Sequence, residues 1–207
     1  MLLAVAACAW PLPVTAYPGS YYGPGPGTRR QMEQDIADGI NRFRAEYGLP
    51  PVPVSPALTE VAEAHALDLD RYRPDEGSDP YGAPCTMHSW SSHGNWTPVC
   101  FTADNRSARS MWSKPREITH GRYRDNGFEI AYRYSDFATP ELALASWRRS
   151  RAHATVILEQ GPWTVPWRAM GVAIRGSYAV VWFGRTPDPA ARSVAQLPRG
   201  SAASSLK

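Results

Sequence analysis

The chain has 207 residues, 43% of them hydrophobic, 11% aromatic and 20% charged, and a formal net charge of +3. That apolar content excludes a largely disordered chain, and the length suits one domain. No apolar run after the N-terminus reaches the ~18–20 residues of a membrane-spanning helix. The charge is uneven: residues 1–100 hold 6 Lys and Arg against 11 Asp and Glu, and residues 101–207 hold 16 against 8. No dense basic stripe or nucleic-acid-binding module accompanies it, so no nucleic-acid partner is expected.

The first charged residue is Arg29. Met1 to Ala9 is apolar and small, and Val14-Thr15-Ala16 offers small residues to a signal peptidase, with cleavage before Tyr17. Residues 1–16 therefore read as a signal peptide. They lack the usual positive n-region, which fits a start inside a longer signal. Val5-Ala6-Ala7-Cys8 also has the form of a bacterial lipobox, which would end the signal at Cys8, lipidate it and anchor the protein to the envelope. Either route predicts export, to the periplasm or the medium. Residues 17–28, YPGSYYGPGPGT, read as a Gly/Pro/Tyr linker.

Apart from Cys8, the cysteines are Cys85 and Cys100. In an exported protein this spacing reads as a disulfide, and closing a loop of about 15 residues is worth roughly 3 kcal/mol. A metal site built on the pair would need two further ligands at CxxC-like spacing, which the sequence lacks.

Met32, Ile36, Ile40, Phe43 and Tyr47 recur at helical spacing and predict a first helix, which Gly48 stops and Pro50, Pro51 and Pro53 keep from restarting. Ser55-Pro56 opens a second, with Leu58, Val61, Ala62, His65, Leu69 and Tyr72 on its inner face. Residues 73–126 read as loop-rich and irregular. Phe128 to Tyr134 is a short strand, and Thr139-Pro140 caps a third helix running to about Arg151. Arg168–Arg175 and Tyr178–Arg185 form a hairpin across Gly176-Ser177. From Thr186 to Lys207 the chain, rich in Pro, Ala and Ser, reads as a flexible tail. These elements predict a single α+β domain over residues 29–185.

Five stretches, in order, resemble the CAP superfamily of cysteine-rich secretory, antigen 5 and pathogenesis-related proteins, in its bacterial SCP-like branch. They are INRFRAEYGLPPVPVSPALTEVAEAHALDL, MHSW, NGFEIAY, ELALASWRRSRAH, and the hairpin AMGVAI with YAVVWFG. The resemblance implies an α-β-α sandwich, export, and a cleft lined by two His and two acidic residues. Carried over position by position, the first His is His88, the acidic residue is Glu129 and the second His is His153. Phe128 and Ile130 replace the family's Gly and Asn around Glu129, and Ser150 stands at the second acidic position. The implied metal set is therefore His88, Glu129 and His153, with Ser150 and Trp90 lining the cleft. Two imidazoles and a carboxylate suit a divalent cation, Zn²⁺ or Mg²⁺, or general acid–base work on water.

The remaining candidates have plainer readings. His65 reads as a half-buried His with one backbone partner, His93 as a surface His or spare ligand, and His120 as solvated. Trp96 and Trp112 are the expected exposed aromatics, with Trp147 and Trp182 in the core. Asn95-Trp96-Thr97 and Asn105-Arg106-Ser107 are glycosylation sequons, without meaning in a bacterial host. Arg148, Arg149 and Arg151 are a solvated face or an attractor for an anionic ligand. No Gly-x-Ser-x-Gly elbow, P-loop or HExxH is present. The sequence thus points to a monomeric, non-enzymatic binding module for a lipid, glycan or protein. A hydrolase using His88, Glu129 and His153 to activate water, against a peptide or envelope substrate, is the alternative. A lipid-anchored envelope protein with a vestigial cleft is the third reading.

Overall fold

A computed structural model describes residues 25–191. The signal peptide, Cys8, most of the expected linker and the tail beyond residue 191 lie outside the described residues. Helix α1 (Pro26–Ala45) and helix α2 (Pro56–Tyr72) are followed by short helices α3 (Ala108–Trp112) and α4 (Lys114–Ile118). Strand β1 (Gly127–Arg133), helices α5 (Pro140–Arg149) and α6 (Arg151–Ile157), and strands β2 (Ala169–Arg175) and β3 (Tyr178–Gly184) complete the order. The strands form one antiparallel sheet in the order β1-β3-β2.

Alternation along the strands divides the core. Phe128 and Ile130 of β1, Met170, Val172 and Ile174 of β2, and Ala179, Val181 and Phe183 of β3 pack with α1, α5 and α6. The intervening Ala131, Ala169, Ala173, Tyr178, Val180 and Trp182 pack with α2 on the opposite face. Glu129, between Phe128 and Ile130, therefore shares the α2 face. The result is the expected α-β-α sandwich in a single α+β domain.

Each helix starts where its capping chemistry allows. Ser55 Oγ accepts from Leu58 N at 3.0 Å and donates to Asp188 Oδ2 at 2.5 Å, and Asp188 also accepts from Ala57 N. Asp188 is thus a second cap for α2, and residues 186–191, expected to be part of a free tail, are tied to the domain. Helix α1 begins at Pro26, inside the stretch read as linker, because Pro suits the first helical turn. Tyr47, expected on its inner face, falls past its end and is exposed, as is Tyr72 at the end of α2. The third helix, expected to about Arg151, is α5, and a further helix that the sequence reading did not include, α6, follows it directly. Ser150 leaves helical geometry with ψ 113° and caps α6 by accepting from His153 N. Residues 101–126 hold α3 and α4, too short to show a period in sequence.

Arg44 is fully buried at the end of α1. Its guanidinium donates to the carbonyls of Pro50 and Ile157 and to Glu159 Oε1. One cation thereby joins α1, the proline-rich turn and the end of α6.

Two predictions follow from this packing. At Gly171, β2 runs so close to α2 that a Cβ would lie 2.0 Å from the carbonyl carbon of Leu58. Gly171→Ala is expected to cost at least about 1–3 kcal/mol, read as a lower denaturation midpoint; an unchanged midpoint counts against this contact. Glu33 of α1 accepts from Ile174 N at the open edge of β2, and burial pushes its carboxyl up from 4.5 to about 7. The unfolded chain releases this proton first, so stability from this group falls as pH rises from about 4.5 through 7. Glu33→Gln is expected to remove that loss and gain up to about 3 kcal/mol over wild type between pH 5 and pH 8. Parallel wild-type and variant stability curves would refute it.

Candidate functional site

Residues 85–101 form a loop closed on itself before it meets anything else. Cys85 and Cys100 are bonded, with their Cα atoms 5.1 Å apart. Inside that closure Thr86 N donates to Phe101 O, and Trp90 and Val99 exchange backbone hydrogen bonds of 2.8 and 3.0 Å. Ser89 Oγ accepts from Phe101 N at 2.9 Å. His88 is carried on this frame, its ring edge-on to Phe101 at 5.4 Å.

Helix α2 holds the frame against the sheet with two polar residues one turn apart. Asp68, buried, accepts from Ser91 N at 2.7 Å and from Ser91 Oγ. His65 Nε2 donates to the Ser89 carbonyl at 2.9 Å. The His65 ring stacks on Trp90 at 4.1 Å and 7°. From the other side Lys114 of α4, fully buried, donates to Thr97 O and to Glu117 Oε2. Burial lowers the Lys114 ammonium, and Glu117 opposes that shift. Glu117 in turn accepts from the Thr97 backbone and hydroxyl.

Glu129 stands where these supports converge. Its Oε1 meets His65 Nδ1 at 2.5 Å and its Oε2 meets His88 Nδ1 at 2.7 Å. Its side chain and that of His65 are 0% exposed, whereas that of His88 is 24% exposed. Burial by itself would raise the Glu129 carboxyl, but His65, then His88, outweigh it and hold it below the usual carboxylate range. His153, on α6, is half-buried with its Nδ1 covered and without a hydrogen-bond partner. Burial, then the nearby charge of His88, lowers its imidazole below 6.5 and favours the neutral ring.

Glu129 and His88 are hydrogen-bonded, and His153 lies within electrostatic reach of His88. Among the described residues, no three His, Cys, Asp or Glu side chains stand together as a metal-ligand set. Ser150 caps α6 through its Oγ. Trp90, expected to line the cleft, is 2% exposed and stacks on the His65 ring. His65, expected to have a single backbone partner, holds Glu129 as well; its pairing with Asp68 on an otherwise apolar helix face was the available signal. Trp96 is only partly open, donating its indole N–H to Ser91 O, and Trp112 packs on Phe128. His93 is exposed against Tyr72, and His120 is exposed. Arg148 is occupied by Glu46 and lies over Phe43.

Opening the disulfide should free the frame that carries His88. Cys85→Ser is expected to cost roughly 3 kcal/mol, a fall of very roughly 10 °C in Tm for a domain of this size. A variant that melts at the wild-type temperature would show that the backbone pairs alone suffice.

The model of the cysteine-rich secretory protein family, CAP, matches residues 37–161, more than half of the chain. No curated protein matches the chain. Among solved structures, an extracellular protein containing an SCP domain from Bacillus anthracis str. Ames is similar with a TM-score of 0.53 at 15% identity, over 79% of this chain and 45% of that one. A cysteine-rich secretory protein from Staphylococcus aureus subsp. aureus Mu50 is similar with a TM-score of 0.48 at 15% identity, over 78% of this chain and 40% of that one. The chain spans less than half the length of both. Among the described residues no helix is long and apolar enough to cross a membrane. With the family match over the end of α1, all of α2, the His88 loop, β1, α5 and α6, and the α-β-α sandwich seen in the fold, the chain belongs to the CAP, or cysteine-rich secretory protein, family.

Proposed function

We propose that this chain is an exported CAP domain acting as a binding module, with His88 and His153 as the seat of a divalent cation. The observation that carries this reading is the occupation of Glu129. Both of its oxygens are taken by imidazole Nδ1 atoms, so it does not reach a ligand directly. It turns the other nitrogen of His88 away from itself, the arrangement by which a carboxylate orients a metal-binding imidazole. His153, half-buried within electrostatic reach of His88 and favoured in its neutral form, supplies the second donor. Two imidazole donors favour Zn²⁺ over Mg²⁺, which prefers oxygen. A bound cation would act as a Lewis acid toward an oxygen-bearing ligand. Two protein donors leave positions open for a lipid headgroup, a glycan or a protein carboxylate. Export is supported by the leader-like N-terminus, by the formed disulfide, and by the extracellular description of the Bacillus protein with the shared fold.

A second reading rests on the Glu129–His88 hydrogen bond. A carboxylate holding an imidazole by Nδ1 also orients a general base, so His88 could activate water in a hydrolase. Glu129 itself, fully covered, would not be that base. Calorimetric titration of the metal-stripped full chain with Zn²⁺ separates the outcomes. Saturable one-to-one binding, weakened at least about tenfold by His88→Ala and by His153→Ala, is the expected result. Zn²⁺ binding indifferent to both substitutions, or none, would overturn the cation site. Turnover of peptide or envelope-glycan substrates, abolished by His88→Ala but not by metal removal, would establish the hydrolase.

A further inference from the structure

Arg44 and Arg148 each have a carboxylate partner. Arg185, just past β3, has none. Its guanidinium lies over the Phe128 ring at 4.6 Å and the Trp167 ring at 5.7 Å. Among the described residues its side chain makes no hydrogen bond and no ion pair. Its Nε is covered and lacks an acceptor, yet the residue is only partly buried, so its open end is the Nη fork. The ring contacts hold that fork in place without supplying a negative charge.

A second cation stands beside it. Arg168, just before β2, donates its backbone N–H at 2.8 Å to the carbonyl of Gly184, the residue before Arg185. Arg168 is exposed, and its guanidinium also lacks a hydrogen bond or ion pair among the described residues. Like charges on neighbouring strand ends repel, and a bound anion relieves both. The ring under Arg185 carries two further donors. Phe128 is touched by Trp112 at 5.5 Å and by Trp163 at 5.3 Å. Both tryptophans are partly exposed. Neither indole N–H has an acceptor among the described residues, and neither is sealed from solvent.

We propose that Arg185 and Arg168, with Trp112 and Trp163, form a binding site for an acidic glycan, a chain of sugar rings that carry carboxylates. All four side chains offer donors and no acceptor, so the ligand must bring the acceptors. A guanidinium fork takes a carboxylate through two parallel hydrogen bonds. The indoles present apolar faces to the C–H faces of sugar rings and N–H groups to their oxygens. An acidic peptide would answer the arginines alone; the two open indoles are what favour sugar rings. The floor is filled, with Phe128 6% and Trp167 3% exposed. The site is therefore a surface platform and not a channel for an acyl chain. Phe128 packs on the α1 side of the sheet, whereas Glu129 faces α2. The platform is thus independent of the cation reading.

Calorimetric titration of the full chain with trigalacturonate, in the presence of EDTA, tests this. Saturable binding is expected, at least about tenfold tighter than for the neutral galactose trisaccharide. Arg185→Gln and Arg168→Gln are each expected to weaken it at least about tenfold. Arg185→Lys, which keeps the charge and loses the fork, is expected to recover part of that loss. Trp163→Ala is expected to weaken binding about fivefold. No saturable binding, or an affinity indifferent to both glutamine variants, overturns the site. Hexaglutamate bound as tightly as trigalacturonate, with the same dependence on both arginines, overturns the glycan assignment in favour of an acidic peptide. Arg168 is exposed, so its variant still decides the matter should Arg185→Gln not fold. EDTA removes divalent cations, so failure of the Zn²⁺ site leaves this titration unaffected.

Discussion

A carboxylate removed from water must find its hydrogen bonds inside the protein or give up its charge. Glu129 is placed in that situation by strand geometry. The residues on either side of it, Phe128 and Ile130, belong to the core formed with α1, α5 and α6, so Glu129 faces α2. It cannot be satisfied by its own strand. Its two partners come from a helix more than 60 positions earlier in the chain and from a loop about 40 positions earlier. The sheet, α2 and the disulfide-closed loop are therefore registered against one another through this one side chain. An error in any of the three would leave a buried charge unmatched.

The other polar contacts around the loop serve the same registration. Asp68 and His65 grip it from α2, Lys114 and Glu117 from α4. Most of these contacts are to backbone atoms of the loop, so they fix its path whatever side chains it carries. The loop packs its apolar side chains, Trp90 and Phe101 buried and Met87, Trp96 and Val99 partly so, on the α2 side of the core. Its order comes from being tied at many points, and the disulfide lowers the entropy that those ties must overcome.

Much of this was legible in the sequence, for reasons tied to particular residues. Ser55-Pro56 and Thr139-Pro140 announce helix starts because a hydroxyl before a proline satisfies orphan N–H groups at the right place, and both hydroxyls accept as expected. The hairpin turns at Gly176, whose φ of +51° a side chain rarely adopts. Cys85 and Cys100 paired as their number and spacing suggested. What stayed hidden depends on contacts between distant segments. A His on an apolar helix face looks the same in sequence whether it meets one backbone oxygen or also a carboxylate from another layer, and His65 does both. Asp188 looks like part of a polar tail until Ser55 is brought beside it. Ser150 ends one helix and starts another through its backbone angle, which a continuous helical pattern does not reveal. The α3 and α4 segments are too short to carry a period, and they form because Met111 and Lys114 are drawn under the loop.

The segment between Ser91 and Pro98 is held at Ser91 by Asp68, at Thr97 by Lys114 and Glu117, and just past its end at Val99 by Trp90. Lengthening a loop between fixed ends is thermodynamically mild, about 0.6 kcal/mol for each doubling. The stretch between Ser91 and Thr97 can therefore take an insertion while the ties on either side of it are kept. Descendants of this domain could diverge in that segment without rebuilding the disulfide-closed frame that carries His88.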